Sequence, residues 1–255
     1  MSESSLSGRH AIVTGAAGGI GSATARKIAE QGAHVTLADV NAEALEQLSG
    51  ELRDAGLSAQ TWTVDLTDSD ALAALTLDAD ILVNNAGLQH IAPLHEFPPE
   101  KWQLLHQVML TAPFLLIRAV LPSMYERGWG RIVNLSSAHG LRASEFKGAY
   151  VAAKHGLEGL SKTTALEGAE HGVTSVCINP GYVRTPLIES QIAGQAKAHG
   201  IPESQVLSDV MLATQPLKRL AEPEEIADAV AFACSSAATN MTGSNIVLDG
   251  GWTAR

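Results

Sequence analysis

Short apolar runs rich in β-branched residues alternate with longer Ala/Leu-rich stretches along almost the whole chain. The runs HAIVTG (10–15), AHVTLAD (33–39), AQTWTVD (59–65), DILVNN (80–85), GRIVNLSS (130–137), VTSVCIN (173–179) and SNIVLDG (244–250) read as seven strands. Helix-like segments at 20–31, 41–55, 100–127, 149–171 and 223–236 lie between them. Strands alternating with helices predict right-handed βαβ crossovers and a mainly parallel sheet of about seven strands, with helices on both faces. No Pro/Ser-rich linker or repeat divides residues 1–255, so the expectation is a single α/β domain of the doubly wound type. The stretch 186–222 breaks the alternation after a Pro-Gly turn. It is expected to lie over the carboxyl edge of the sheet as a lid.

Composition narrows the partners. Of 255 residues 45% are apolar and 17% charged, which is globular composition with ample core for one unit of this length. The 17 basic residues against 27 acidic ones give a net charge of -10, which argues against nucleic acid as a partner. A small anionic substrate stays open, because local charge sets a site. The polar start MSESSLSGRH contains no apolar core of a signal peptide, and no uninterrupted apolar run suggests a membrane span. Cys177 and Cys234 fit no metal spacing and read as two buried free thiols of a cytoplasmic protein; no metal site is expected.

TGAAGGIG (14–21) leaves the first strand and enters the first helix. Gly15, Gly19 and Gly21, with Ile20 opening the helix, would let a pyrophosphate approach the backbone and sit at the helix N-terminus. Asp39 ends the second strand, where a carboxylate can hold both ribose hydroxyls and repel a 2′-phosphate; it could also be a plain helix cap before NAEALEQL. Asp65, ending the third strand, could meet the adenine or cap a turn. The reading is a Rossmann domain that binds NAD rather than NADP.

YVAAK (150–154) puts Tyr150 and Lys154 on one helix face. An ordinary phenol is a poor base at neutral pH. A neighbouring ammonium and the positive nicotinamide of an oxidised cofactor would stabilise the phenolate. Ser137, at the end of the fifth strand, can hydrogen-bond the same substrate oxygen. TGAAGGIG, NNAG, Ser137, YVAAK and the Pro-Gly pair at 180–181, in that order and spacing, resemble the short-chain dehydrogenase/reductase family over essentially the full chain. The resemblance implies Tyr150 as acid/base, Ser137 as polariser of the substrate oxygen, and Lys154 as ligand of the nicotinamide ribose and depressor of the tyrosine pKa. It also implies that Asn85 and Gly87 close the central strand beside the cofactor. One departure stands out: VMLTAPF puts Met109 where the family has an asparagine. That asparagine supports a proton-relay water through its main-chain carbonyl, which methionine retains. Pro113, one turn on, suggests a compensating kink.

NNAGLQHIAPLHEFPPEKW (84–102), SSAHGLRAS (136–144), TPLIESQI (185–192) and DGGW (249–252) carry a tighter likeness, to the D-3-hydroxybutyrate dehydrogenase group of that family. It implies Gln89, His139, Lys147 and Gln191 as anchors of a substrate carboxylate, with Tyr182 and Trp252 as aromatic walls; Tyr182 stands where tryptophan is common. A 3-hydroxy acid carries its carboxylate two carbons from the reacting carbinol, so anchors are needed beyond Ser137 and Tyr150. His90 reads as structural. The implied activity is reversible NAD-dependent oxidation of (R)-3-hydroxybutyrate to acetoacetate by a homotetramer. Two alternatives are a dehydrogenase for another small hydroxy acid or secondary alcohol, and a nucleotide-binding scaffold with impaired catalysis, the latter motivated by Met109.

Overall fold

A computed structural model describes residues 6–254. The strands and helices run β1 His10–Thr14, α1 Gly19–Glu30, β2 His34–Asp39, α2 Ala42–Asp54, β3 Ala59–Thr63, α3 Ser69–Ala73, β4 Ile81–Asn84, α4 Pro99–His106, α5 Ala112–Arg127, β5 Gly130–Leu135, α6 Gly148–Gly168 and β6 Val173–Pro180. Beyond them come α7 Pro186–Glu189, α8 Ile192–His199, α9 Glu203–Val206, α10 Pro223–Cys234 and β7 Asn245–Leu248. All seven strands pair in parallel in the order β3-β2-β1-β4-β5-β6-β7. The sequence order reverses at β1, whose neighbours are β2 and β4. In such sheets the crevice outside the carboxyl ends at that point is where ligands sit.

Side chains alternate across each strand, and the two faces are filled by different helices. Ala11, Val13, Ile81, Val83, Val133 and Leu135 point to one face, where Ile28, Leu45, Leu52, Ile226 and Val230 of α1, α2 and α10 cover them. Ile12, Leu82 and Ile132 point to the other and meet Leu116, Val120 and Met124 of α5. Burying both faces explains why the strands read as continuous apolar runs rather than as alternating ones.

The helix expected over 100–127 is interrupted. Gln107–Thr111 is a π-helical turn between α4 and α5. Pro113 lies in the first turn of α5 and has no N–H to offer the carbonyl four residues back, that of Met109. By length and apolar character Pro99–Arg127 would suffice to cross a membrane, contrary to the expectation that no segment would. More than half of its most apolar window is buried in the protein, as befits a core helix. The 186–222 segment is mostly helical. Val183 and Ala221 bridge its two ends, and Val206, Met211 and Ala196 form its own small core with Tyr182, Ile188 and Ile192.

Candidate active site

The loop after β1 and the end of β4 are stapled together. The side-chain amide of Asn85 donates to the carbonyls of Thr14 at 2.9 Å and Gly15 at 3.2 Å. The Thr14 hydroxyl oxygen accepts from the main-chain N–H groups of Asn85 at 3.0 Å and Ala86 at 3.2 Å. These bonds account for the two amides at the end of a buried strand. The first, Asn84, donates across to Oδ1 of Asn134 on β5 at 2.9 Å. The second closes the loop. Gly15 has φ 65, and a Cβ there would lie 2.8 Å from the Asn85 amide nitrogen, so only glycine fits. Gly18 precedes α1 and brings no side chain, leaving the first N–H groups of the helix facing the crevice.

Asp39 turns its carboxylate to this loop, accepting from Ala17 N–H at 3.2 Å and Asn41 N–H at 3.0 Å. Asn41, not Asp39, caps α2 by accepting from Ala44 N–H. The next residue, Val40, is 68% exposed and offers no cation to a 2′-phosphate. Asp65 makes a turn at the end of β3. It is exposed, its carboxylate accepts from the N–H and hydroxyl of Thr67 at 2.8 and 2.7 Å, and it does not line the cleft. Those turn hydrogen bonds hold its pKa below the usual carboxylate range. Gly21 also sits behind the cleft rather than in it. A Cβ there would fall 2.0 Å from the Gly15 carbonyl oxygen, so its part is to let α1 pack under the loop. Gly15, Gly19, Ile20, Asp39, Asn85 and Gly87 do line the cleft.

At the other end of the same cleft, Ser137 follows β5 and starts a 3-10 turn over Ala138–Gly140. Its hydroxyl oxygen accepts from His139 N–H at 3.1 Å and lies 3.4 Å from Nδ1 of the same histidine. Tyr150 and Lys154 share the buried face of α6, with Nζ 5.6 Å from the phenol ring. Lys154 donates to the Leu135 carbonyl at 2.5 Å. Burial lowers its pKa to about 8, opposed by Cys177 and Glu158. Burial raises the Tyr150 phenol while the Ser137 hydrogen bond lowers it. The protein's own groups therefore leave Tyr150 above its ordinary value, and a positively charged cofactor ring beside it would have to supply the depression.

Lys147 caps α6 and is 2% exposed. It donates to the Tyr182 hydroxyl at 3.1 Å and lies 4.8 Å from that ring, and burial lowers its pKa to about 8. His139 is buried between the Ser144 hydroxyl, 3.0 Å from Nε2, and the Trp252 ring, 4.9 Å away. Burial, then the Lys147 charge, push its pKa well below 6.5, so it stands neutral at pH 7. Gln191 donates to the Leu187 carbonyl at 3.0 Å, and its buried Oε1 has no hydrogen-bond partner among the described residues. Oε1 of Gln89 accepts from His90 N–H at 2.9 Å, which aims its NH₂ elsewhere. Gln89, His139, Lys147, Tyr182, Gln191 and Trp252 all line the cleft with Ser137, Tyr150 and Lys154. His90 packs edge-on against Phe97, 5.3 Å away, and is structural as expected.

Three contributors escaped the sequence reading. Gln215 lines the cleft from the far side, its amide donating to the carbonyls of Leu217 and Arg219 at 2.6 and 2.7 Å. Ser144 orients His139, and Asn179 holds the Ser137 carbonyl at 2.9 Å. Only Asn179 carried a signal, standing immediately before the Pro-Gly pair.

Comparison with known proteins agrees with this geometry. The family model described as short chain dehydrogenase matches residues 9–196. The chain is 45% identical to a D-beta-hydroxybutyrate dehydrogenase of Rhizobium meliloti (strain 1021), covering 96% of this chain and 98% of the relative. It is 40% identical to a protein of the same name from Cupriavidus necator, over 98% and 100% of the two chains. A structure from Agrobacterium tumefaciens, provisionally described as a 2-deoxy-D-gluconate 3-dehydrogenase with bound NADP, superposes with a TM-score of 0.87 at 33% identity over 100% of both chains.

Proposed function

The chain belongs to the short-chain dehydrogenase family, and from that membership we propose that it catalyses the reversible, NAD-dependent oxidation of (R)-3-hydroxybutyrate to acetoacetate. The observation that carries this reading is Lys147. It is a buried ammonium beside the Ser137-Tyr150 pair, and its described partners are the neutral hydroxyl and ring of Tyr182. A buried charge left this way is costly unless a counter-ion arrives, and a substrate carboxylate is such an ion.

The residues present fit a nicotinamide dinucleotide. The Gly15 turn has no room for a side chain, α1 offers its N-terminus, and Asp39 lines the cleft. A nicotinamide ring held there would supply the hydride acceptor for the carbinol carbon in oxidation and the hydride donor in reduction. Ser137 holds the substrate oxygen, and Tyr150, as phenolate, takes the hydroxyl proton. Lys154 stabilises that phenolate by its charge. The lysine ammonium and the amide N–H groups of Gln89 and Gln191 would hold the carboxylate, with neutral His139 and the Trp252 ring shaping the space for its short chain. Asp39 with Val40 favours NAD over NADP, since like charge repels a 2′-phosphate there.

We read residues 1–255 as one dinucleotide-binding and catalytic domain, with 186–222 as a lid, acting as a homotetramer in the cytoplasm. A dehydrogenase for another small hydroxy acid is the second reading, favoured by Tyr182, whose hydroxyl sits beside Lys147. Following NADH absorbance over (R)-3-hydroxybutyrate, its methyl ester, longer 3-hydroxy acids and gluconate tests the assignment. The largest kcat/KM is expected for (R)-3-hydroxybutyrate. A larger value for the uncharged ester or for gluconate overturns it.

A further inference from the structure

Behind Ser137 lies a second buried polar cluster that takes no direct part in hydride transfer. Glu158 stands one helical turn after Lys154 on the same face of α6 and is 5% exposed. A buried carboxylate needs its oxygens satisfied. Here the side-chain amide of Asn179 donates to Oε1 at 2.6 Å, and that of Asn245 donates to Oε2 at 2.6 Å. Asn245 also donates to Oδ1 of Asn179 at 2.9 Å, closing the cluster. The Asn179 amide then reaches the main-chain carbonyl of Ser137 at 2.9 Å. The carboxylate also lies under the turn that carries Ser137 and His139. A Cβ at Gly140 would come within 2.8 Å of Glu158 Oε1 and 2.4 Å of the Ser136 hydroxyl.

We propose that Glu158 is a positioning residue for this reaction: through Asn179 it fixes the backbone of Ser137, and it places a carboxylate one helical turn from Lys154. The first part follows from the chain of hydrogen bonds, which links α6, β6 and β7 to one catalytic hydroxyl. The second follows from the surroundings of Lys154. Its own helix presents Tyr150, Glu158 and, at its start, Lys147. β6 presents Cys177, a thiol that burial keeps neutral, and the Leu135 carbonyl at the end of β5 accepts from Lys154. The turn after β5 brings His139, held neutral, and the π-helical turn packed on α6 brings the uncharged Val108 and Met109. With Cys177, Glu158 thus opposes the effect of burial on Lys154, and it is the carboxylate of the two. The inference rests on Ser137, Tyr150 and Lys154 carrying the hydride-transfer reaction proposed above.

The test is Glu158→Gln in the full chain, read by NADH absorbance across pH. Glutamine keeps the shape, removes the charge and turns an NH₂ toward one of the two amide donors. A fall in kcat of about tenfold is expected, with KM and NADH affinity within about twofold of the parent. Losing the carboxylate lowers the Lys154 pKa further, so the alkaline limb of kcat moves to lower pH. In a Ser137→Ala background the same change should cost less than about threefold, because the two act as a unit. Asn179→Ala keeps the charge and breaks the link, so it should lower kcat without moving the limb, and it serves equally if the glutamine variant does not fold. Unchanged kcat and pH profile, or a full additional loss in the Ser137→Ala background, overturns the inference while leaving the parent activity standing. A parent enzyme that turns over no alcohol overturns both together.

Discussion

Replacing Lys147 by methionine separates two consequences of one buried charge. The ammonium is 2% exposed, and its described partners are the Tyr182 hydroxyl and ring. Burial lowers its pKa from 10.5 to about 8. At about 1.4 kcal/mol per unit, the folded protein carries that charge at neutral pH at a cost of about 3 kcal/mol. The unfolded chain holds the proton more tightly, so this cost is full below about pH 8 and fades as pH rises toward 10.5, where both states are neutral. Lys147→Met should therefore stabilise the ligand-free protein at pH 7 by up to about 3 kcal/mol, less any lost packing. The gain should vanish near pH 10. Denaturant melts of both proteins at the two pH values read the difference, and Lys154, common to both, cancels. The effect on activity has the opposite sign. A carboxylate hydrogen-bonded to a buried ammonium is worth about 2–3 kcal/mol, so kcat/KM for 3-hydroxybutyrate should fall about 30- to 150-fold. The neutral amide analogue should be nearly unaffected. Equal losses on the charged and neutral substrates, or a variant less stable than the parent at pH 7, would show that Lys147 is not an unpaired charge awaiting a carboxylate.

Tyr150→Phe removes the proton acceptor and should lower kcat by about a thousandfold while NADH binding, followed by fluorescence, is retained; more than about a tenth of the parent rate would contradict the role. Asp39→Ser removes the carboxylate that faces the glycine loop and should shift the NAD/NADP ratio of kcat/KM toward NADP by about tenfold or more. A parent enzyme that already prefers NADP contradicts that reading. Gly21→Ala drives a methyl into the Gly15 carbonyl, which is backbone and cannot step aside, so a loss of stability of about 1–3 kcal/mol should accompany weaker NADH binding. Unaltered melting and NADH affinity would show that the loop tolerates the side chain.

What the residues announced and what they hid differ in kind. The sheet was legible because β1, β2, β4, β5 and β6 are buried along nearly their whole length and read as apolar runs, and all seven strands, the more exposed edge strands β3 and β7 included, appear within a residue or two of their expected limits. The glycine loop and the Tyr150-Lys154 pair were legible because their spacing is local. The π-helical turn before Pro113 was not, since an apolar pattern over 100–127 does not distinguish one helical hydrogen-bond register from another. Asp65 was ambiguous because capping a turn and meeting a ligand both call for a carboxylate at a strand end; its Oδ1 holds the Thr67 turn. Glu158 was invisible for another reason: its partner Asn245 lies 87 residues away, and nothing in either segment marks the pairing.

On the proposed reading the cleft takes a carboxylate at Lys147 and a carbinol at Ser137 and Tyr150, in one stereochemical sense. Initial rates of NADH formation with (R)- and with (S)-3-hydroxybutyrate, measured separately on the parent enzyme, test it most directly. Rapid turnover of the R form with little or none of the S form is expected. No turnover of either, or turnover confined to the S form, would contradict it.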